Sequence, residues 1–302
     1  MHRILVLILT TLATINSCAG QNNLIPPIDD RDFASKWYQG LAEISSYELQ
    51  QARYGEIHPG EAVLIFVTED FSKSKQVKLD QPGVHQSDAI TVLKMNATRS
   101  FNTGVYQYNM MQSVFTPVSF DQYPKSLKVT TSSQDWCGHS WMQYNLERDK
   151  YKATQFSYFE SAGDQSFLVE AAFLEDEIWT KIRTAPHTLP TGNFKVIPGT
   201  FFSRMRHNTG KAKMAHGSIE KQGNEYVYKI DYQNLDRELN IFFSVEFPHE
   251  ISGWEETTKS GFGPDAKMLT TKATLKKRKM LDYWRRHNLS DRSLRAELGL
   301  SQ

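Results

Sequence analysis

The sequence predicts a mainly antiparallel β protein, and three observations carry that reading. Residues 238–247 run Glu-Leu-Asn-Ile-Phe-Phe-Ser-Val-Glu-Phe, with apolar side chains at all five odd positions and polar ones at four of the five even positions. That period of two belongs to a half-buried strand, because successive side chains on a strand point to opposite faces. Residues 225–232 repeat it, with Tyr226, Tyr228, Ile230 and Tyr232 on one face. Nowhere do such runs alternate with long amphipathic helices, which argues against a parallel βαβ sheet.

The elements follow in chain order. Residues 1–17 form an export leader: Arg3 and His2 give a short basic start, and Ile4–Ala13 an aliphatic core. That core is too short to span a bilayer, which takes about 20 residues as a helix, and no later run reaches 18. Residues 18–30 are a spacer rich in Asn and Pro, and Asp32–Tyr38 predicts a short helix with Phe33 and Trp37 on one face. Residues 31–277 then form one β domain. Strands are predicted at 42–53, 61–70, 89–100, 104–116, 126–146, 150–160, 166–174, 177–184, 194–206, 214–220, 225–232, 238–247 and 267–277. The run 126–146 is either one bulged strand or two strands joined near Gly138. Residues 278–302 predict a basic helical tail, with helices at 278–287 and 290–298 and Ser290 as a cap. Its charge run, Lys276–Lys279 with Arg285 and Arg286, suits a solvated face or contact with anionic headgroups.

Composition excludes several functions. The chain has 35 Lys and Arg against 34 Asp and Glu, a net charge of +1, so the basic footprint of a general nucleic-acid binder is absent. Two cysteines, Cys18 and Cys137, exclude a disulfide scaffold and a cysteine-cage zinc site. There is no P-loop, no G-x-S-x-G and no H-E-x-x-H, and Gly261–Ala266 fits G-x-G-x-x-A only in a loop context. No cofactor or metal site is predicted.

Two sets of candidate residues remain. In Gln134–Met142, a strand would place Asp135, Cys137, His139 and Trp141 on one face, with Cys137 and His139 about 6–7 Å apart. A thiolate beside a histidine suits a cysteine nucleophile, and with Met142 a soft metal. The plainer reading is a core cysteine and histidine, or lining of a pocket. The second set is aromatic. Tyr106, Tyr108 and Met110 share one strand face while Met111 and Phe115 lie on the other, and Trp136 and Trp141 lie nearby. Tyr106, Tyr108, Met110, Trp136 and Trp141 are candidates to line an apolar groove, and the apolar second face calls for a cover.

Three resemblances add expectations. Ile15-Asn16-Ser17-Cys18 resembles the bacterial lipobox, which implies lipidation of Cys18 and a membrane anchor of several acyl chains. The residues after it, Ala-Gly-Gln-Asn-Asn, lack an acidic cluster, which favours the periplasmic side of the outer membrane. The ending RELNIFFSVEFPHEISGWEETT with MLTTKATL resembles periplasmic β proteins of lipoprotein-carrier-like fold. That likeness implies a long, strongly curved, incompletely closed barrel around an apolar groove. The runs GLAEISSYELQQARYGEIHPGEAVLIFVTEDFSKSKQVKLD and QDWCGHSWMQYN are similar to uncharacterised Gram-negative lipoproteins often called septum formation inhibitor Maf. The nucleotide pyrophosphatases of that name carry an S-x-x-R-R loop on an α/β fold. This chain has neither, so no residue carries over.

The expected function is therefore a lipid-anchored envelope protein whose curved sheet binds a lipid, another apolar ligand or an envelope partner. An envelope thiol enzyme using Cys137, His139 and Asp135, and a scaffold without ligand, are the alternatives.

Overall fold

The computed structural model describes residues 24–301, so the leader and Cys18 lie outside the described residues. Helix α1 (Asp30–Trp37) is capped by Asp29, whose carboxylate accepts from the Arg31 N–H, and it buries Trp37. Phe33 and Trp37 lie 6.5 Å apart, as their spacing predicts.

Eight strands follow: β1 (Ala42–Arg53), β2 (Glu56–Ser72), β3 (Ala89–Thr103), β4 (Tyr106–Pro117), β5 (Lys128–Asp135), β6 (Gly138–Glu147), β7 (Lys150–Ser157) and β8 (Gln165–Glu170). Seven more come later: β9 (Phe173–Leu174), β10 (Gly192–Ile197), β11 (Lys213–Gln222), β12 (Glu225–Tyr232), β13 (Arg237–Ser244), β14 (Ile251–Ser260) and β15 (Lys267–Leu281). All belong to one sheet, not closed into a barrel, in the order β8 back to β1, then β15 back to β9. The halves meet where β1 pairs with β15, Ala42 opposite Leu281. Every pairing is antiparallel except β9 with β10.

The two outer strands are nearly consecutive in the chain. Only Ala171 and Ala172 separate Glu170 of β8 from Phe173 of β9. Three Cα steps of about 3.8 Å reach about 11 Å at most, so the sheet has to roll nearly full circle. Lys195 of β10 reaches Glu170 of β8 at 2.9 Å across the seam.

The interior is filled by the chain itself. A 3-10 turn (Glu175–Glu177), helix α2 (Ile178–Thr184) and helix α3 (Thr200–Met205) are buried along nearly their whole length. Trp254 of β14 packs between Tyr47 at 4.9 Å and Trp179 of α2 at 5.2 Å. Burial of large aromatics of this kind is the main source of stability for such a core.

Several sequence expectations need correction. Residues 177–184 form a helix and not a strand: Ile178 and Ile182 sit one turn apart, and three acidic residues precede them where a helix dipole favours negative charge. The strand predicted at 194–206 stops at Ile197, where Pro198-Gly199 breaks it and α3 begins. The run 126–146 is two strands. The run 166–174 is β8 and β9. Strand β14 arises where hydropathy predicts none, because its buried face carries Glu256, Thr258 and Ser260. At the C-terminus β15 continues through Leu281, so Arg278–Leu281 is strand, followed by a single turn at Tyr283–Arg285. Helical structure does form at Leu289–Arg292 and in α4 (Ser293–Glu297), but Asn288 holds the cap position and not Ser290.

The tail lies on the convex face, with Leu298 buried and its carbonyl accepting from the Ser46 hydroxyl. Most of the basic run is engaged there: Lys276 with Glu61 at 3.5 Å, Arg278 with Glu250 and Glu43, Lys279 with Glu297. The second face of β3 and β4 is covered by the chain's own loops. Phe71, Ile90, Val92 and Leu127 form a separate cluster there with Phe115 and Tyr123, while Met111 stays exposed.

Candidate functional site

The sheet has two ends. The connections β1–β2, β3–β4, β5–β6, β7–β8 and β14–β15 all lie at one of them, since each joins antiparallel neighbours in turn. The Gly55 N–H donates to the Ser260 hydroxyl at 3.1 Å, which ties two of these tips together. Residues Pro27 and Ile28 sit at the opposite end, beside Val118 and Ser119.

The cysteine lies at a tip. Asp135 pairs with Gly138, leaving Trp136 and Cys137 as a two-residue turn. The expected common face of Asp135, Cys137, His139 and Trp141 on one strand does not form, because the chain reverses between them. Asp135 accepts the Cys137 backbone N–H at 2.7 Å, so its carboxylate shapes the turn. His139 pairs with Gln134 on β5 and points to solvent, while Trp141 stacks on Phe156 on the convex face at 5.6 Å. No hydrogen bond joins Cys137 to His139 among the described residues. Local desolvation and the neighbouring Asp135 push the Cys137 thiol up, the opposite of what a nucleophile needs. Among the described residues no group of three or more His, Cys, Asp or Glu could hold a metal ion.

The aromatic candidates divide. Tyr108 and Met110 are buried in the core, each 3% exposed, and Tyr106 is half-buried beside them. Tyr108 stacks on Phe101 at 4.9 Å. Its hydroxyl lies 2.6 Å from that of Tyr54, to which Tyr106 also donates at 3.0 Å. Arg53 adds donors to both Tyr54 and Tyr108 at 3.2 Å and to the Met205 carbonyl at 2.7 Å. Trp136, at 72% exposure, belongs to the tip and not to this group. Tyr158 packs over Gly138 at the same tip, and Phe262 stacks on Tyr54 at 5.7 Å while 76% exposed.

Deeper in, four charged groups that the sequence reading missed form a network. Arg237 donates to both oxygens of Glu175, at 2.6 Å to Oε1, and through Nε to Glu256 at 2.8 Å. Arg99 approaches Glu256 at 3.6 Å, and the Tyr232 hydroxyl donates to Glu175. Asp176 accepts from the Thr200 N–H at 3.0 Å and from Gln112 at 2.8 Å, with no ion-pair partner among the described residues. Burial, and then the charge of Glu175, push its carboxyl up to about 7. Gly199 permits this packing, since a Cβ there would stand 2.3 Å from a Glu175 oxygen. One signal was legible: Glu175-Asp176-Glu177 is an acidic triplet set between Phe173-Leu174 and Ile178-Trp179.

Two small pockets touch this network, beside a wide, open surface groove that reaches Arg99 between Thr98, Phe101 and Ser132. One, of about 30 Å³, is enclosed by Arg99, Asp176, Trp179, Phe202 and Trp254 among others. The other, of about 40 Å³, lies toward the tips between Arg53, Arg206, Thr258, Ser260 and Phe262. A dry cavity that takes benzene is about 150 Å³, so neither holds an acyl chain as it stands. Comparison with protein-family models, with curated proteins and with solved structures finds no match.

Proposed function

We propose that this is a lipid-anchored protein of the bacterial envelope that works by binding, and that its ligand or partner meets the hairpin-tip end. The leader and the Ile15-Asn16-Ser17-Cys18 run support export and anchoring. The observation that carries the binding reading is a contrast. The interior is packed by Glu175–Met205, while the tips keep Trp136, Tyr158 and Phe262 in solvent. Because residues 27–28 lie at the other end, an anchor upstream of them leaves the tips facing away from the membrane, toward the periplasm if the anchor is in the outer membrane. The Cys137 thiol at this tip is pushed up, and among the described residues no hydrogen bond joins it to His139, which favours a binding role over thiol catalysis.

A second reading, a carrier of lipid in the groove, draws on one observation: the segment Glu175–Met205 fills the curve mostly from outside the sheet ladder. Its displacement would free the faces of Tyr108 and Met110. Native mass spectrometry with solvent extraction, on the chain from Ala19 to Gln302 secreted into a bacterial periplasm, separates the two. The expected result is the mass of the bare chain. A lipid retained near one to one, and retained equally by Arg206→Gln at the tip-end pocket, would overturn the tip-end reading in favour of the carrier.

A further inference from the structure

We infer that the tip-end pocket between Arg53 and Arg206 is a binding site for an oxyanion, the carboxylate or phosphate head of a small molecule whose apolar body lies on Phe262. This deepens the binding reading above by naming what the tip end takes.

The first observation is uncompensated positive charge. Arg53 has only neutral acceptors, the Met205 carbonyl and two phenols, and its Nε is buried with no hydrogen-bond partner among the described residues. Arg206 donates to the Lys259 carbonyl and to nothing else described. Neither lies within 4 Å of a carboxylate among the described residues. The one carboxylate lining the pocket, Glu256, is already held by Arg237 at 2.8 Å and approached by Arg99 at 3.6 Å. Arg53 and Arg206 line the same pocket, and burial first and then the charge of Arg53 lower the basicity of Arg206, which the more distant Glu256 offsets only in part. Two guanidinium groups with no directly paired carboxylate among the described residues form a site that an oxyanion completes.

The second observation is the form of the pocket. Ser260 accepts from the Gly55 N–H, which leaves its hydroxyl proton to donate, and Thr258 brings a second hydroxyl. About 40 Å³ is room for roughly two or three waters, or for the oxygens of one anionic group and no more. The rest of a ligand has to stay at the mouth, where Phe262 offers an open ring face stacked on Tyr54.

The test is thermal unfolding of the full chain in detergent at matched ionic strength, with inorganic phosphate, phenyl phosphate, benzoate or chloride as the probe. Phenyl phosphate or benzoate is expected to raise Tm by about 5 °C at a concentration about a hundred times its Kd, with chloride inert. Which of the two shifts Tm assigns the head as phosphate or carboxylate. Arg206→Gln, a change at a half-exposed side chain, is expected to weaken the better probe at least about tenfold without altering the unliganded Tm by more than a degree or two. Phe262→Ala is expected to weaken phenyl phosphate and leave inorganic phosphate unchanged. No shift with any oxyanion, or an equal shift in Arg206→Gln, overturns the assignment. The extraction experiment, repeated on Arg206→Gln, reports a lipid held in the interior and not in this pocket, so the two ideas can fail separately.

Discussion

A carboxyl group without an ion-pair partner among the described residues sits at the centre of the molecule, and its titration has a predictable sign. Asp176 is raised from an ordinary 3.8 to about 7, so between pH 4 and 7 the folded chain holds a proton that the unfolded chain has lost. Stability therefore falls as pH rises through that window and levels off above it. At roughly 1.4 kcal/mol per pKa unit the fall amounts to about 4 kcal/mol at most. Asp176→Asn keeps an oxygen for Thr200 and Gln112 and is expected to flatten the slope, as denaturant melts at pH 4.5 and 8 would show; an unchanged slope would count against it. Glu43 works in the other direction. Arg183 grips it at 2.7 Å through two donors and Lys36 adds a third at 2.9 Å, which outweighs burial and lowers it from 4.5 to about 2. Its contribution is present above pH 4.5 and lost as pH falls toward 2. Glu43→Gln leaves a buried guanidinium without its counter-charge and is expected to cost about 3–5 kcal/mol in a urea titration at pH 7. Cys137→Ser at the exposed tip should cost under about 0.5 kcal/mol and leave binding intact; loss of function with an unchanged melt would restore the thiol enzyme.

Elements were legible where burial is one-sided and apolar. Strand β12 matches the expected span because its inward residues, such as Tyr228 and Ile230, are buried and apolar while Lys229 and Asp231 between them are polar and less buried. The same logic fails where the buried face is itself polar. Strand β14 puts Glu256 and Thr258 inside, so its period is invisible in hydropathy, and those residues build the candidate site. Helix α2 spans only seven residues, too short for a period of 3.6 to stand out, and its polar side buries Lys181 and Arg183 through ion pairs with Glu177 and Glu43. The tip at Trp136-Cys137 was half legible: the bend near Gly138 could be foreseen, but not that it would separate Cys137 from His139. Arg53 and Arg206 lie more than 150 positions apart in the chain, and only the rolled sheet brings them to one pocket.

At the scale of the whole molecule, the two runs of strands are held together by the β1–β15 ladder and by the interior segment they share. Arg183 of α2 binds Glu43 of β1, and Glu175 binds Arg237 of β13, so contacts from one segment bridge both halves. The chain is therefore expected to melt in a single cooperative transition by fluorescence and circular dichroism together; separate midpoints would show halves that fold independently.

The β1–β15 ladder also has a mechanical consequence. Ala42 and Leu281 are partners at the same end of the pair, and the register runs inward from them to Gln50 opposite Lys272. A tension applied between Ala42 and Leu281 acts across this ladder and loads its outermost bonds first, so they open in succession as a zipper does. The same number of bonds pulled along the strand axis would resist together. A chain built this way yields to a modest pull between Ala42 and Leu281, and its rupture force in an optical trap should fall well below that for a pull applied between the β1–β2 tip and Leu281.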